Sequence, residues 1–323
     1  MIRALLKEAR PKQWAKNVLV FAAPGAAGVL DNGSSMGRAA LMFAAFCLAS
    51  SGTYFWNDLH DREADRQHPT KRNRPIASGA LSVSAASVVG TVLLVVGIGL
   101  SFLLGWQSGL VAVGYVALTT CYSMFLKHVA VVDLVAIAGG FVLRAVAGAV
   151  AADVRMSSWF VLCTSFGSLF IVTGKRYAEL RELGDDAAAT VRATLEEYTL
   201  GFLRIVLSVA VGATLVTYCI WAFETKEISG SDWPFYELSI VPMGAALLRY
   251  TLVLEQGHGA APEEILTSDR VILLLGAVWM VVFVAWETPS KSTCPPSWAS
   301  RSNGLPGPTA EARRCPSVSR RAA

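Results

Sequence analysis

Asn57, Asp58, Asp61 and Asp65 fall in one short polar stretch, NDLHDREADRQHPTKRNRPIASG, and Arg66, Lys71, Arg72 and Arg74 follow at once. Spacings of three and four residues place the three carboxylates on one face of a helix, within about 60° of one another. Like charges so placed repel, and a hard divalent cation such as Mg²⁺ relieves the repulsion while keeping coordination sites for phosphate oxygens. Asn57 adds a neutral carbonyl ligand. The cations that follow would repel a bare metal but suit a diphosphate brought with it. The chemistry on offer is metal-assisted handling of a diphosphate, with Asp58, Asp61 and Asp65 as the catalytic carboxylates. A solvated juxtamembrane loop of mixed charge is the plain alternative for the same residues.

Whatever positions this stretch must do so in lipid. The 323 residues are 54% hydrophobic and 16% charged, against about 25% charged in a soluble domain. Mean hydropathy is +0.48. The expected class is all-α and polytopic, with nine membrane helices over roughly 17–30, 39–56, 81–104, 108–126, 130–150, 156–173, 202–223, 236–254 and 270–286. Pro24 and Gly25 break the first of these. No apolar segment with a cleavage site opens the chain, so the N-terminus is expected to be retained.

Lys and Arg decide the orientation. Arg3, Lys7, Arg10, Lys12 and Lys16, the cations of the carboxylate loop, Lys127, and Lys175, Arg176, Arg181 and Arg192 share one face if the N-terminus is inside. The opposite loops, before the tail, hold Arg38, Arg155 and Lys226. This bias puts the polar clusters on the cytoplasmic side of the cell membrane, where one cavity could gather them.

Other polar residues are weaker leads. Asp133 and Arg144 share a helical stripe but lie about 16 Å apart along it, so each needs a different partner; for Arg144 the expected partner is an internal carboxylate. Gly139, Gly140 and Gly148 allow close helix packing. The six cysteines are scattered, and His60, His68, His128 and His258 have no zinc spacing. No phosphate-binding glycine loop or dinucleotide fingerprint occurs, and nothing points to a nucleic-acid partner. A homo-oligomer is compatible with the sequence.

Asn57, Asp58, Asp61 and Asp65 spell NDxxDxxxD after the second span, which resembles the first aspartate-rich motif of the UbiA-type membrane prenyltransferases. The resemblance covers roughly residues 10 to 286. It implies a helical bundle with a cytoplasmic-facing cavity, with Asn57, Asp58, Asp61 and Asp65 holding Mg²⁺ and a diphosphate. YSMFLK, ending at Lys127, matches a Tyr-to-Lys element of that family, which implies that Tyr122 and Lys127 bind substrate; a snorkelling lysine is the alternative.

The chain also departs from the family. The second motif normally carries paired aspartates, whereas GKRYAELRELGDD offers Lys175 and Glu179. Exchanging a carboxylate for a cation removes a metal ligand and adds a phosphate donor; Asp185 and Asp186 lie further along. With ARPKQWAKN and HPTKRNRPIASG, this loop resembles a branch that moves 5-phosphoribose from 5-phosphoribosyl diphosphate to a polyprenyl phosphate such as decaprenyl phosphate, for cell-wall arabinan. That resemblance implies substrate-binding roles for Lys12, Lys16, Asn17, Arg66, Lys71, Arg72, Arg74, Lys175, Arg176 and Glu179. Transfer from an allylic prenyl diphosphate is the alternative, and a transporter a more distant one.

From Glu287 onward the sequence fills with Pro, Ser and Arg and loses apolar periodicity. The expected division is a transferase domain over 1–286 and a disordered tail over 287–323. The last span is short for a bilayer and the tail's arginines oppose the charge bias, so a frame-shifted or otherwise atypical end is the expectation, with a genuine flexible extension as the alternative.

Overall fold

The computed structural model describes residues 1–68, 70–183, 193–229, 233–257, 265 and 268–287. The expectations for Asp185, Asp186 and the tail from 288 lie outside these residues. The chain begins with an amphipathic α1 (Ile2–Ala9), turns at Arg10, and continues as a 3-10 run, Pro11–Phe21, and a short α2 (Ala22–Ala26). Two long helices follow the order of the apolar runs, α3 (Gly33–His60) and, after α4 (Arg62–Gln67), α5 (Val83–Leu103). Asn32 caps α3 by accepting from the Ser34 amide at 2.9 Å, and Ser82 caps α5.

The second half continues with α6 (Trp106–Met124), α7 (Val132–Ala151), α8 (Ser158–Leu183), the short α9 (Ala193–Glu197), α10 (Leu200–Ser229), the short α11 (Phe235–Leu238), α12 (Ile240–Glu255) and α13 (Arg270–Glu287). Among the described residues, six helical stretches are long and apolar enough to cross a membrane: Gly33–His60, Val83–Leu103, Val132–Ala151, Ser158–Glu182, Leu200–Ser229 and Phe235–Glu255.

The other three expected spans are shorter or less apolar stretches. The first is the 3-10 run and α2, with Lys12, Lys16 and Asn17 in its first turns. The fourth, α6, forms a full helix diluted by Gln107, Ser108, Thr119 and Thr120. The last is α13, an apolar helix of 18 residues.

α7 is the hinge of the packing. One core joins it to α8, α10 and α12 through Leu134, Phe170, Leu203 and Leu254. Another joins it to the 3-10 run, α3 and α6 through Ala147, Val20, Phe46 and Tyr115. Gly148 permits the closest approach, since a Cβ there would fall 1.6 Å from the Val20 carbonyl oxygen. α7 therefore carries its polar residues, Asp133 and Arg144, into the middle of the bundle.

Candidate active site

Asp61 ends α3 at φ −83°, ψ 5°, and the chain restarts immediately as α4. This small turn divides the three carboxylates. Asp58 and Asp65 are buried, at 1% and 3% exposure. Arg74 bridges them, its Nη1 donating to Asp58 Oδ1 at 3.0 Å and to Asp65 Oδ2 at 2.7 Å. Arg10 donates to the other Asp58 oxygen. Asp61 instead lines a cavity of about 560 Å³ and accepts from Lys127 Nζ at 3.1 and 3.2 Å.

Arg10 is the joint between α1 and the 3-10 run, with a left-handed backbone (φ 52°, ψ 59°). That conformation costs about 1–2 kcal/mol for a residue with a Cβ. The pairing with Asp58, and the stacking of the guanidinium 4.8 Å above the Tyr54 ring, offset it. Behind this pair lies Glu8, 1% exposed, with neither carboxyl oxygen holding a hydrogen-bond partner while both it and Asp58 are ionised. Burial, the hydrogen bond with Asp58 and that residue's charge push the Glu8 carboxyl up to about 8, against the pull of Arg10 and Arg74. Near neutral pH, Glu8 holds a proton that it can donate to Asp58.

Lys16, Asn57, Asp61, Lys71, Arg74, Tyr122 and Lys127, all expected site residues, line the cavity. Others sit elsewhere. Asn17 is fully buried and accepts from Arg144 Nε at 2.7 Å. Arg66 turns away to Glu63 and the Ala77 carbonyl, each at 3.1 Å. Lys12 and Arg72 are exposed.

Lys175, Arg176 and Glu179 form a second cluster on α8. Arg176, 2% exposed, donates to Asp133 Oδ2 at 3.3 Å and to Glu179. Tyr198 donates to the other Asp133 oxygen. Lys175 stands 4.0 Å from Glu179.

Arg144 does not take the expected carboxylate. It donates to Asn17, to the Gly140 carbonyl at 2.8 Å and to the Tyr115 hydroxyl at 2.9 Å, with its guanidinium over the Tyr115 ring. Neutral oxygens satisfy its donors, so its positive charge is not cancelled where it lines the cavity. Sequence reasoning also missed Arg10, Thr53, Tyr54, Tyr115, Thr119 and His128 in the lining. One signal was available: Tyr115, Thr119 and Tyr122 recur at helical spacing and mark one face of α6.

The carboxylates do not form a metal cage, since no group of three His, Cys, Asp or Glu side chains among the described residues could hold an ion. Asn57 and Asp61 are the metal-type ligands that line the cavity. They fit the manner in which Mg²⁺ is usually held, by one or two protein oxygens with substrate phosphates and water completing its shell.

A family model described as the UbiA prenyltransferase family matches residues 18–274. The chain is 43% identical over 284 residues to the decaprenyl-phosphate phosphoribosyltransferase of Corynebacterium glutamicum, covering 87% of this chain and 85% of that one. It is 41% identical over 284 residues to the enzyme of that name from Mycobacterium tuberculosis, covering 87% and 93%. Its fold is similar to that of a UbiA homologue from Archaeoglobus fulgidus bound to DMAPP and Mg²⁺, with a TM-score of 0.67 at 18% identity over 87% of this chain and 98% of that one.

Proposed function

The chain belongs to the UbiA prenyltransferase family, and from that premise we propose that it is an enzyme transferring 5-phosphoribose from 5-phosphoribosyl diphosphate to decaprenyl phosphate or a similar polyprenyl phosphate. The observation that carries this reading is the charge of the cavity. Arg10, Lys16, Lys71, Arg74, Lys127 and Arg144 line it, against Asp61 as the one lining carboxylate among the described residues. A donor with a diphosphate and a separate 5-phosphate, together with an acceptor phosphate, presents three anionic groups to such a lining. An allylic diphosphate with a neutral acceptor presents one. The names of the relatives in Corynebacterium and Mycobacterium support the same reading.

In the reaction, an oxygen of the lipid phosphate bonds to C1 of the ribose as the bond from C1 to the diphosphate breaks. The acceptor is already an anion, so no general base is needed. Asp58 and Asp65 act from behind, holding Arg74 and Arg10 where they stabilise the departing diphosphate. Lys127, released from Asp61, adds a further charge. Asn57 and Asp61 would hold Mg²⁺, which neutralises the diphosphate as a leaving group when bound. Binding both substrates side by side supplies much of the remaining rate.

The charge bias supports a cytoplasmic cavity in a cell-membrane protein with nine passages, within one transferase domain over 1–286 ahead of the 287–323 tail. The test is incubation of purified protein with labelled 5-phosphoribosyl diphosphate, Mg²⁺ and decaprenyl phosphate. Label moving into the lipid phase is the expected result; label that stays aqueous while an allylic diphosphate is consumed overturns the reading in favour of prenyl transfer.

A further inference from the structure

At the other end of α3 lies a second pocket, of about 380 Å³, whose lining includes Asn32, Ser35, Arg38, Gln107, Ser108 and Asp153. Ser35 and Asn57, one in each cavity, are separated by 22 residues of the same helix, about 33 Å along its axis. α3 is long and apolar enough to cross a membrane, so the two cavities open at opposite ends of the bundle. The transfer reaction makes no use of the second one.

Its construction favours a phosphate. Arg38 is fixed in place, with Nε donating to the Ala151 carbonyl at 2.5 Å and Nη2 to the Leu104 carbonyl at 2.8 Å. These oxygens belong to the ends of α7 and α5, so the guanidinium is braced against two helix C-termini while Nη1 is left for a ligand. Across the pocket stand the first turns of α3 and α6, whose backbone N–H groups and partial positive charge favour an anion. The α6 turn is set by Gly105, at φ 138°, a conformation open to glycine alone. Ser108 supplies an independent sign of a missing partner. Its side chain is 1% exposed, lines the pocket, and its hydroxyl has no hydrogen-bond partner. A buried hydroxyl without a partner is costly to leave so, and a ligand oxygen would relieve it.

Asp153 narrows the choice. It is the carboxylate of the lining, exposed and in a left-handed backbone (φ 56°). It disfavours a bare inorganic anion and suits an ammonium group carried beside the phosphate. The surroundings are apolar: Leu103, Trp106 and Met36 adjoin the lining in sequence and are 79%, 66% and 40% exposed. A tryptophan at a helix end is a common mark of the membrane interface.

We propose that this pocket binds the headgroup of an amine-bearing membrane phospholipid, with its phosphate between Arg38, Ser108 and the first turns of α3 and α6, its ammonium on Asp153 and its acyl chains along Leu103 and Trp106. The test is native mass spectrometry of the delipidated full chain in detergent, titrated with phosphatidylethanolamine, phosphatidylglycerol or inorganic phosphate. One phosphatidylethanolamine should be retained at least fivefold more tightly than phosphatidylglycerol, and Asp153→Ala should erase that preference. Arg38→Met should weaken retention about tenfold. Because it also uncaps two helices, Ser108→Ala serves as the second variant, with an expected threefold loss and no loss of folding. Equal retention by Ser108→Ala and the wild type overturns the proposal, as does loss of the lipid in Lys127→Ala at the catalytic cavity. Displacement of the lipid by millimolar inorganic phosphate overturns it in favour of a free-anion site.

Discussion

Two ionic clusters flank the middle of the bundle, and they differ in where the cation that answers a buried carboxylate lies. At the end of α3 the buried groups are carboxylates, Asp58 and Asp65, held by Arg10 and Arg74, which are about a quarter exposed and line the cavity. At α8 a cation and a carboxylate are buried together, Arg176 with Asp133, with Glu179 partly buried beside them and Lys175 on the rim. The first arrangement presents positive charge to the cavity from a hidden acidic base. The second has spent its buried charge inside the protein. An aspartate-rich motif thus works here largely as a mount for arginines, and the loop where the family's usual pattern has more aspartates has become an internal brace.

The largest effect should come from breaking the brace. Arg176→Met strands Asp133, which is fully buried, and should destabilise the protein by about 3–5 kcal/mol. Thermal unfolding in detergent measures it, and Asp133→Asn on top of Arg176→Met should restore part of the loss. Full stability of Arg176→Met would mean that the cluster is not structural.

Arg74→Ala tests the arrangement in which the cation lies at the cavity. It leaves Asp58 and Asp65 short of a partner that is itself partly exposed, so the stability loss should be smaller, about 2 kcal/mol. Transfer activity should fall by about a hundredfold, because a charge facing the substrate is lost. A drop in stability without a drop in activity would erase the contrast between the clusters.

Lys127→Ala should raise the KM for the diphosphate donor about tenfold and change stability by less than about 1 kcal/mol, since its pair with Asp61 is partly exposed. Steady-state kinetics at saturating acceptor would show it.

The last expected effect is a slope of stability with pH, where the other variants change stability or activity at a fixed pH. The Glu8 carboxyl is raised from 4.5 to about 8 in the folded protein. The folded state therefore keeps a proton that the unfolded chain gives up, and the associated stability is complete below pH 4.5 and lost as pH rises through about 8. Glu8→Gln should flatten the stability profile between these values. An unchanged slope would place the proton elsewhere.

Much of the fold could be read in the apolar runs, because a bilayer demands long stretches of apolar residues whatever surrounds them. The runs became helices in the expected order. Where length and composition were marginal, the outcome depended on neighbours: the 3-10 run at Pro11–Phe21 is held by the Gly148 contact and by Asn17 reaching Arg144. The site was legible in part. Lys16, Asn57, Asp61, Lys71, Arg74, Tyr122 and Lys127 could be named from spacing and resemblance, since charge in so apolar a chain stands out. Arg10 and Arg144 could not be placed, because their roles depend on partners 48 and 127 residues away.

Residue types and their periodicity were enough to establish a membrane-embedded helical protein with a loop dense in acidic and basic residues, since lipid and like-charge repulsion act locally and leave marks in the chain. Which carboxylate lines the cavity and which hold arginines was settled only by tertiary structure. A single turn at Asp61, and the packing of α1 against the end of α3, decide which oxygens are buried, and burial rather than residue type determines what a charge is free to do.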